Sequence, residues 1–190
     1  MPAKPGERKL QILQTLAAML ETPKGEKITT AALAERLDVS EAALYRHFAS
    51  KAQMFEGLIE FIEQTLFGLV NKIAADEKSG VRQIEAILSM LLGFAKKNPG
   101  MTRVLIGDAL VNEDERLQAR INQLHDRIET TLKQALRFAV TEKEIPETVD
   151  AAAQANLMLA YVIGRWHQFA KSGFKRDPTE HWAVQWPSLL

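Results

Sequence analysis

The residues that could do chemistry lie between Ile28 and Phe55, and the chemistry is the capture of phosphate oxygens. Tyr45, Arg46, His47 and Lys51 form a ring of donors suited to that task. They accompany two short apolar segments, about 30–37 and 41–47, joined by Asp38-Val39-Ser40. Leu33, Ala34 and Leu37 of the first segment can meet Val39, Leu44 and Phe48 around the second, and small Ala34 lets the two cross closely. Ser40 can cap the second helix, and Thr29 or Thr30 the first. A capped helix start presents unpaired backbone N–H groups and the positive end of the helix dipole, which together attract a phosphate. Glu41, Ala42 and Ala43 keep the start of the second helix small enough to enter a major groove. The plainer alternative is two amphipathic helices that only pack together. The helix-turn-helix geometry is the better match.

Other chemistries find little footing. None of the 190 residues is a cysteine, which excludes disulfides, thiolate metal sites and cysteine nucleophiles and fits a reducing cytoplasm. His47, His125, His167 and His181 show no ligand spacing, and no nucleophile, base and orienter can be assembled, so no catalytic residue, metal or cofactor is expected. The expectation is a protein that is not an enzyme. Net charge is zero, from 24 basic and 24 acidic residues, and the first fifty residues are only slightly basic. A nucleic-acid reading therefore rests on geometry rather than charge. Apolar residues make up 46% and charged residues 25%, the balance of a soluble globular chain. No apolar run approaches the roughly 20 residues needed to cross a bilayer, and the N-terminus lacks the apolar core of a signal peptide, so a cytoplasmic protein without membrane contact is expected.

The elements that must position those donors read as helices throughout, an all-α fold. Leu10, Leu13, Leu16, Ala17 and Leu20 recur at helical spacing over about 7–22, and the turn residues of 22–27 end that helix. A long helix over 51–76 opens on Ser50, with Gln53 completing a capping-box pattern, and buries Met54, Leu58, Phe61, Ile62, Leu66, Leu69, Val70 and Ile73. Further helices are expected over 80–97, 100–111, 113–140 and 147–171, with a last short one opened by Asp177-Pro178-Thr179 that carries Trp182 and Trp186 on one face. The division expected is a head, 1–51, and a helical body, 52–190, sharing the long helix as one rigid strut.

Two features of the body ask for partners. Ala151, Ala152, Ala153, Ala155, Ala160 and Gly164 permit close helix approach, and with Leu117 to Leu136 they suit a four-helix contact across a two-fold axis, hence a homodimer. Tyr161, Trp166 and Phe169 could line a small-molecule pocket, although aromatics at helical spacing more often build a core.

The string Val-Ser-Glu-Ala-Ala-Leu-Tyr-Arg-His-Phe, followed by Ser50-Lys51, resembles the DNA-binding head of the TetR family of bacterial regulators. That resemblance implies a three-helix head carrying a helix-turn-helix on a larger C-terminal helical dimerisation body. Asp38 stands where the family usually has Gly. In a left-handed conformation Asp is tolerated better than most residues and less well than Gly, so a modest stability cost and an unchanged fold are expected. The stretches 40–48, 58–63, 91–94, 98–100, 120–124 and 174–179 are similar to the nucleoid-occlusion members of that family. This likeness implies a nucleoid-associated protein that binds palindromic double-stranded DNA, antagonises the division protein FtsZ, and leaves room for higher-order assembly on DNA. It also implies a partner surface on the two helices after the head. Phe61, Gly93 and Asn98 match its pattern, Lys97 replaces another basic residue, and Leu69 stands where Arg is expected. Periodicity puts Phe61 near the apolar stripe, so core packing stays open for it. The alternative function is a ligand-responsive repressor of the TetR type.

Overall fold

The structure is a computed structural model that describes residues 5–22 and 28–190. Its described residues form helices and turns and no strand. Among the described residues nine α-helices run in order: α1 Pro5–Met19, α2 Thr30–Arg36, α3 Glu41–Tyr45, α4 Lys51–Asp76, α5 Gly80–Lys97, α6 Pro99–Leu105, α7 Glu115–Thr141, α8 Ala151–Lys171 and α9 Trp182–Gln185. Short 3-10 turns follow α6, at Asp108–Leu110, and α9, at Trp186–Leu189. No helix of the described residues is long and apolar enough to cross a membrane.

The bounds of α4 and α5 are those the sequence leads one to expect, and their caps explain why. Ser50 accepts from the Gln53 N–H at 3.1 Å, and Ser79 accepts from the Arg82 N–H at 3.2 Å. Gln53 does not close the capping box on Ser50; its side chain accepts from the Ala49 N–H at 2.9 Å, one residue further back. Other bounds move for local reasons. Helix α8 starts at Ala151 rather than 147, because Asp150 takes the Ala152 and Ala153 N–H groups. The segment expected to be helical to 111 breaks after Leu105, where Gly107 turns left-handed at φ 77°. Asp177 and Thr179 bond each other in a local turn instead of opening a helix, so α9 begins only at Trp182. Trp182 and Trp186 do stack, with ring centroids 5.6 Å apart. Helix α1 ends at Met19, and most of the turn expected over 22–27 lies outside the described residues.

One continuous core runs from α1 to the C-terminal turn. Leu117, Ile121, Leu124, Ile128, Leu132 and Leu136 of α7, expected beside α8 in the contact between copies, are instead buried in the chain's own core. Periodicity errs at the margins of a stripe: Leu10 and Leu69 are exposed at 40% and 41%, while Ile12 and Ile59 are fully buried. Trp166, fully buried on α8, donates its indole N–H to the Leu91 carbonyl at 3.1 Å and so ties α8 to α5. Phe169 is buried, and Tyr161 donates to Gln185 at 2.7 Å, so all three aromatics serve packing.

Two joints hold the head to the rest of the chain. The first is α4, whose Met54, Phe55 and Leu58 are buried in the common core; a Cβ on Gly57 would lie 3.1 Å from the Phe48 ring and 3.3 Å from Leu13. The second is a backbone contact between α1 and α6, where a Cβ on Gly100 would lie 2.0 Å from the Ala17 carbonyl oxygen. Any residue but Gly at 100 would force the two helices apart.

His125 on α7 packs against Trp166, with centroids 6.2 Å apart, and its buried Nε2 has no hydrogen-bond partner. Burial pushes its pKa below 6.5, against the weaker opposing pull of the Leu105 carbonyl and Asp126. As pH falls through 6.5, the unfolded chain takes up a proton that the folded chain refuses, so stability drops. Urea unfolding at stepped pH should show stability declining below that point by at most about 1.4 kcal/mol per pH unit from this group. His125→Phe should flatten that part of the profile; an unchanged slope would count against the burial of a neutral imidazole.

Candidate nucleic-acid interface

The caps that start α2 and α3 form the centre of the site. Thr29, not Thr30, caps α2, accepting from the Ala32 N–H at 3.1 Å, and Ser40 caps α3, accepting from the Ala43 N–H at 3.2 Å. Thr30 does different work: its hydroxyl donates to Glu41 at 2.6 Å and accepts from Tyr45 at 3.4 Å. These bonds fix the start of α2 against both ends of α3. Leu33, Ala34, Leu37, Leu44 and Phe48 are buried between the helices, and Val39 is half-buried. Apolar contacts beneath and polar contacts above thus hold α3 at one angle to α2.

The turn between them is a Schellman motif. Asp38 N–H bonds the Glu35 carbonyl and Val39 N–H the Ala34 carbonyl, both at 3.0 Å, with Asp38 left-handed at φ 53°. The same arrangement recurs at the end of α8, where Gly173 takes the left-handed position and the Phe169 and Phe174 rings meet at 5.2 Å. Asp38 is therefore a residue other than Gly where the backbone favours Gly.

Outward from this frame, Thr29, Ser40, Glu41, Ala42, Tyr45 and Arg46 are exposed, and Thr30, Ala43 and His47 are half-buried. The structure brings these nine residues together at the end of the head. Helix α3 closes at Tyr45, so Arg46 and His47 lie in the turn that leaves it and not in the helix. Lys51 is placed differently. Its ammonium is paired with Glu113, before α7, and lies 5.7 Å above the Phe55 ring, at the joint between head and body.

The residues expected to meet a protein partner lie along the α4–α5 pair. Phe61 is half-buried and Leu69, two turns on, is exposed. Glu63 pairs with Arg120 at 2.8 Å and Phe67 stacks under Arg127 at 3.8 Å, so the flank of α4 that faces α7 is a different one. On α5, Gly93 has open space where a Cβ would stand. Lys97 is exposed in the last turn, while its neighbour Lys96 is held by Asp177 at 2.5 Å. That contact keeps the Asp177 carboxyl low, at about 2. Asn98 donates from Nδ2 to the Phe94 carbonyl at 2.8 Å, so it also closes the end of α5. Among the other histidines, His167 and His181 are exposed and far along the chain from the head.

Arg103 is the residue that sequence reasoning missed. Its guanidinium donates to the Leu20 carbonyl at 3.1 Å and to Asp108 at 2.8 Å, linking α6 to the end of α1. Nothing in its local sequence signals contacts 83 residues away.

Asp38→Gly should relieve the left-handed strain and stabilise the chain by about 0.5–1 kcal/mol, since the side chain makes the conformation costly. Thermal unfolding checks this, and a destabilised variant would show that the Asp side chain contributes more than the strain removes.

Comparison with known proteins agrees with this geometry. Residues 25–58 match the family described as bacterial regulatory proteins, tetR family, and residues 78–190 match the Tetracyclin repressor-like C-terminal domain of SlmA-like proteins. The chain is 56% identical over 190 residues to the nucleoid occlusion factor SlmA of Alteromonas mediterranea, covering all of this chain and 97% of that one. It is 54% identical to that of Idiomarina loihiensis, covering 94% and 91%, and 50% identical to that of a Marinomonas species, covering 100% and 96%. Among solved structures, the fatty acid degradation regulator FadR of Bacillus halodurans superposes with a TM-score of 0.80 at 14% identity, covering 100% of this chain and 96% of that one. A TetR-family regulator of Agrobacterium tumefaciens gives 0.79 at 17%, covering 98% and 97%. Those two likenesses show the fold alone. Identity of 50–56% over matches that cover the whole chain shows more: the chain belongs to the SlmA family of nucleoid occlusion factors, within the TetR family.

Proposed function

We propose that this chain is a nucleoid occlusion factor that binds palindromic chromosomal sites and, once bound, antagonises FtsZ so that the division ring does not assemble over the nucleoid. The observation that carries the reading is identity of 50–56% across the whole chain, body included, to proteins named for that function. Residues 1–51 read DNA in this account, and 52–190 supply the dimer contact and the partner surface. The work is recognition rather than catalysis, done in the cytoplasm on the nucleoid.

Thr29, Thr30, Ser40, Tyr45, Arg46 and His47 meet phosphates, and Lys51, its ammonium paired with Glu113, steadies the head beside them. Glu41, Ala42 and Ala43 lead α3 into the major groove. The dimer reading draws support from α8, where Ala153, Leu157, Ala160 and Gly164 share one exposed stripe and Leu157 is 50% exposed. Two copies joined there would set their recognition helices about 34–36 Å apart, to meet successive major grooves. The ligand-responsive repressor has less support, because the aromatics that could line an effector site are used in packing.

Phe61, Leu69, Gly93, Lys97 and Asn98 form the surface offered to FtsZ. Tyr45→Ala should weaken binding to specific and random duplexes alike, because a phosphate contact carries no sequence information; filter binding over a salt series checks it, and an unchanged affinity and salt slope would remove Tyr45 from the interface. For the partner surface Lys97→Glu is the cleaner probe, since Asn98 also closes α5. An exposed substitution usually changes stability by no more than about 0.5 kcal/mol, so folding and DNA affinity should stay near wild type. Pull-down of FtsZ with and without cognate DNA should show DNA-dependent capture by the wild type and at least tenfold weaker capture by the variant. Normal capture by the variant would remove Lys97 from the surface. No capture by the DNA-loaded wild type would overturn the division-inhibitor reading.

A further inference from the structure

We propose that Arg103, bonded to Leu20, Thr22 and Asp108, sets the separation of the two DNA-reading heads and so acts as a positioning residue for site choice. The proposal rests on the dimeric reading above. Helix α6 touches the head at backbone distance through Gly100 and Ala17. One turn on, the Arg103 guanidinium donates to the Leu20 carbonyl at 3.1 Å and the Thr22 carbonyl at 3.5 Å, both beyond the last turn of α1. Its Nε donates to one oxygen of Asp108 at 2.8 Å. The other oxygen of Asp108 accepts from Lys171, in the last turn of α8. The end of the head, the turn after α6 and the helix that carries the exposed small-residue stripe therefore meet on one guanidinium–carboxylate pair.

The chemistry of that junction suits a rigid mount. A planar guanidinium has five donors in a fixed fork, so it can serve carbonyls and a carboxylate at once, which an ammonium cannot do with the same geometry. The side chains of Arg103 and Asp108 are only 15% and 20% exposed, so the pair is shielded far better than an ordinary surface contact. Burial alone pushes the Asp108 carboxyl up, but hydrogen bonds from Lys171 and Arg103 outweigh it and hold the group ionised. A second tie, Lys51 to Glu113, anchors the start of α4 to the turn on the far side of the same segment. The segment 99–113 thus grips the head at the end of α1 and at the start of α4, and grips α8 at its end.

Two heads on one duplex must match both distance and rotation. One base pair changes the separation by about 3.4 Å and the rotation by about 35°. A stiff mount rejects that mismatch and a loosened one absorbs it. Arg103 therefore adds discrimination at base pairs the protein never touches.

The test uses the full chain and the palindromic duplex that the wild type selects from a random-sequence pool, beside the same duplex with one base pair inserted at or removed from its dyad. The wild type should bind the altered spacings at least tenfold more weakly. Arg103→Ala and Arg103→Lys should cut that ratio at least threefold. A merely structural role would lower the active fraction on all three duplexes and leave the ratio unmoved. Arg103→Ala with the wild-type ratio overturns the proposal. Should that variant fail to fold, Lys171→Ala, at a half-exposed side chain, decides: a reduced ratio supports the proposal and an unchanged one overturns it. A wild type indifferent to spacing would overturn the paired-head reading itself, a failure distinct from that of Arg103 alone.

Discussion

The contact between Gly100 and the Ala17 carbonyl governs how the rest of this chain can work. Helix α1 and helix α6 approach until no Cβ fits between them, so the head cannot be a bead on a string. It shares a core with the body, and it is held there by α4 on one side and by α6 on the other. A DNA-reading head gains nothing from its own few buried side chains if it can tilt freely. Fixed to the body, its α3 takes a direction set by helices outside the helix-turn-helix.

That constraint explains the placement of charge. Arg103, Asp108, Lys171, Lys51 and Glu113 all lie along the joint, in a chain whose net charge is zero. Arg103 and Asp108 spend their charge on the joint, and so does Lys51. The proposed recognition surface offers caps, small residues and Tyr45, with Arg46 and His47 as its basic side chains. Affinity would then come from backbone N–H groups and hydroxyls placed well, with few cations. It would also let the proposed partner surface work with the proposed DNA surface: the flank of α4 that does not meet α7 belongs to the same core as the head.

Local signals carried much of this into the sequence. Ser40 and Ser50 cap where their spacing says they should, α4 and α5 have the expected bounds, and Asp38 adopts the left-handed turn that its position implied. Between Thr29 and Thr30 the sequence left a choice that only the hydrogen bond to Ala32 resolves. Long-range contacts were invisible. Asn98-Pro99-Gly100 reads as a helix stop, and nothing local says that its glycine is required by a carbonyl 83 residues earlier. Lys51 reads as a free donor because its partner Glu113 lies 62 residues away. Leu69 fits the apolar period of α4 yet faces out, because a stripe defined by spacing has no sharp edge.

Native-state amide exchange, read helix by helix on the intact protein, tests the shared core most directly. Where two elements belong to one cooperative unit, their slowest amides open with the same free energy. The buried side of α1 that carries Ile12, Leu16 and Ala17 should therefore open together with α4 and α6. Opening of α1, α2 and α3 as a separate unit at clearly lower free energy would contradict a head that is part of the body's core.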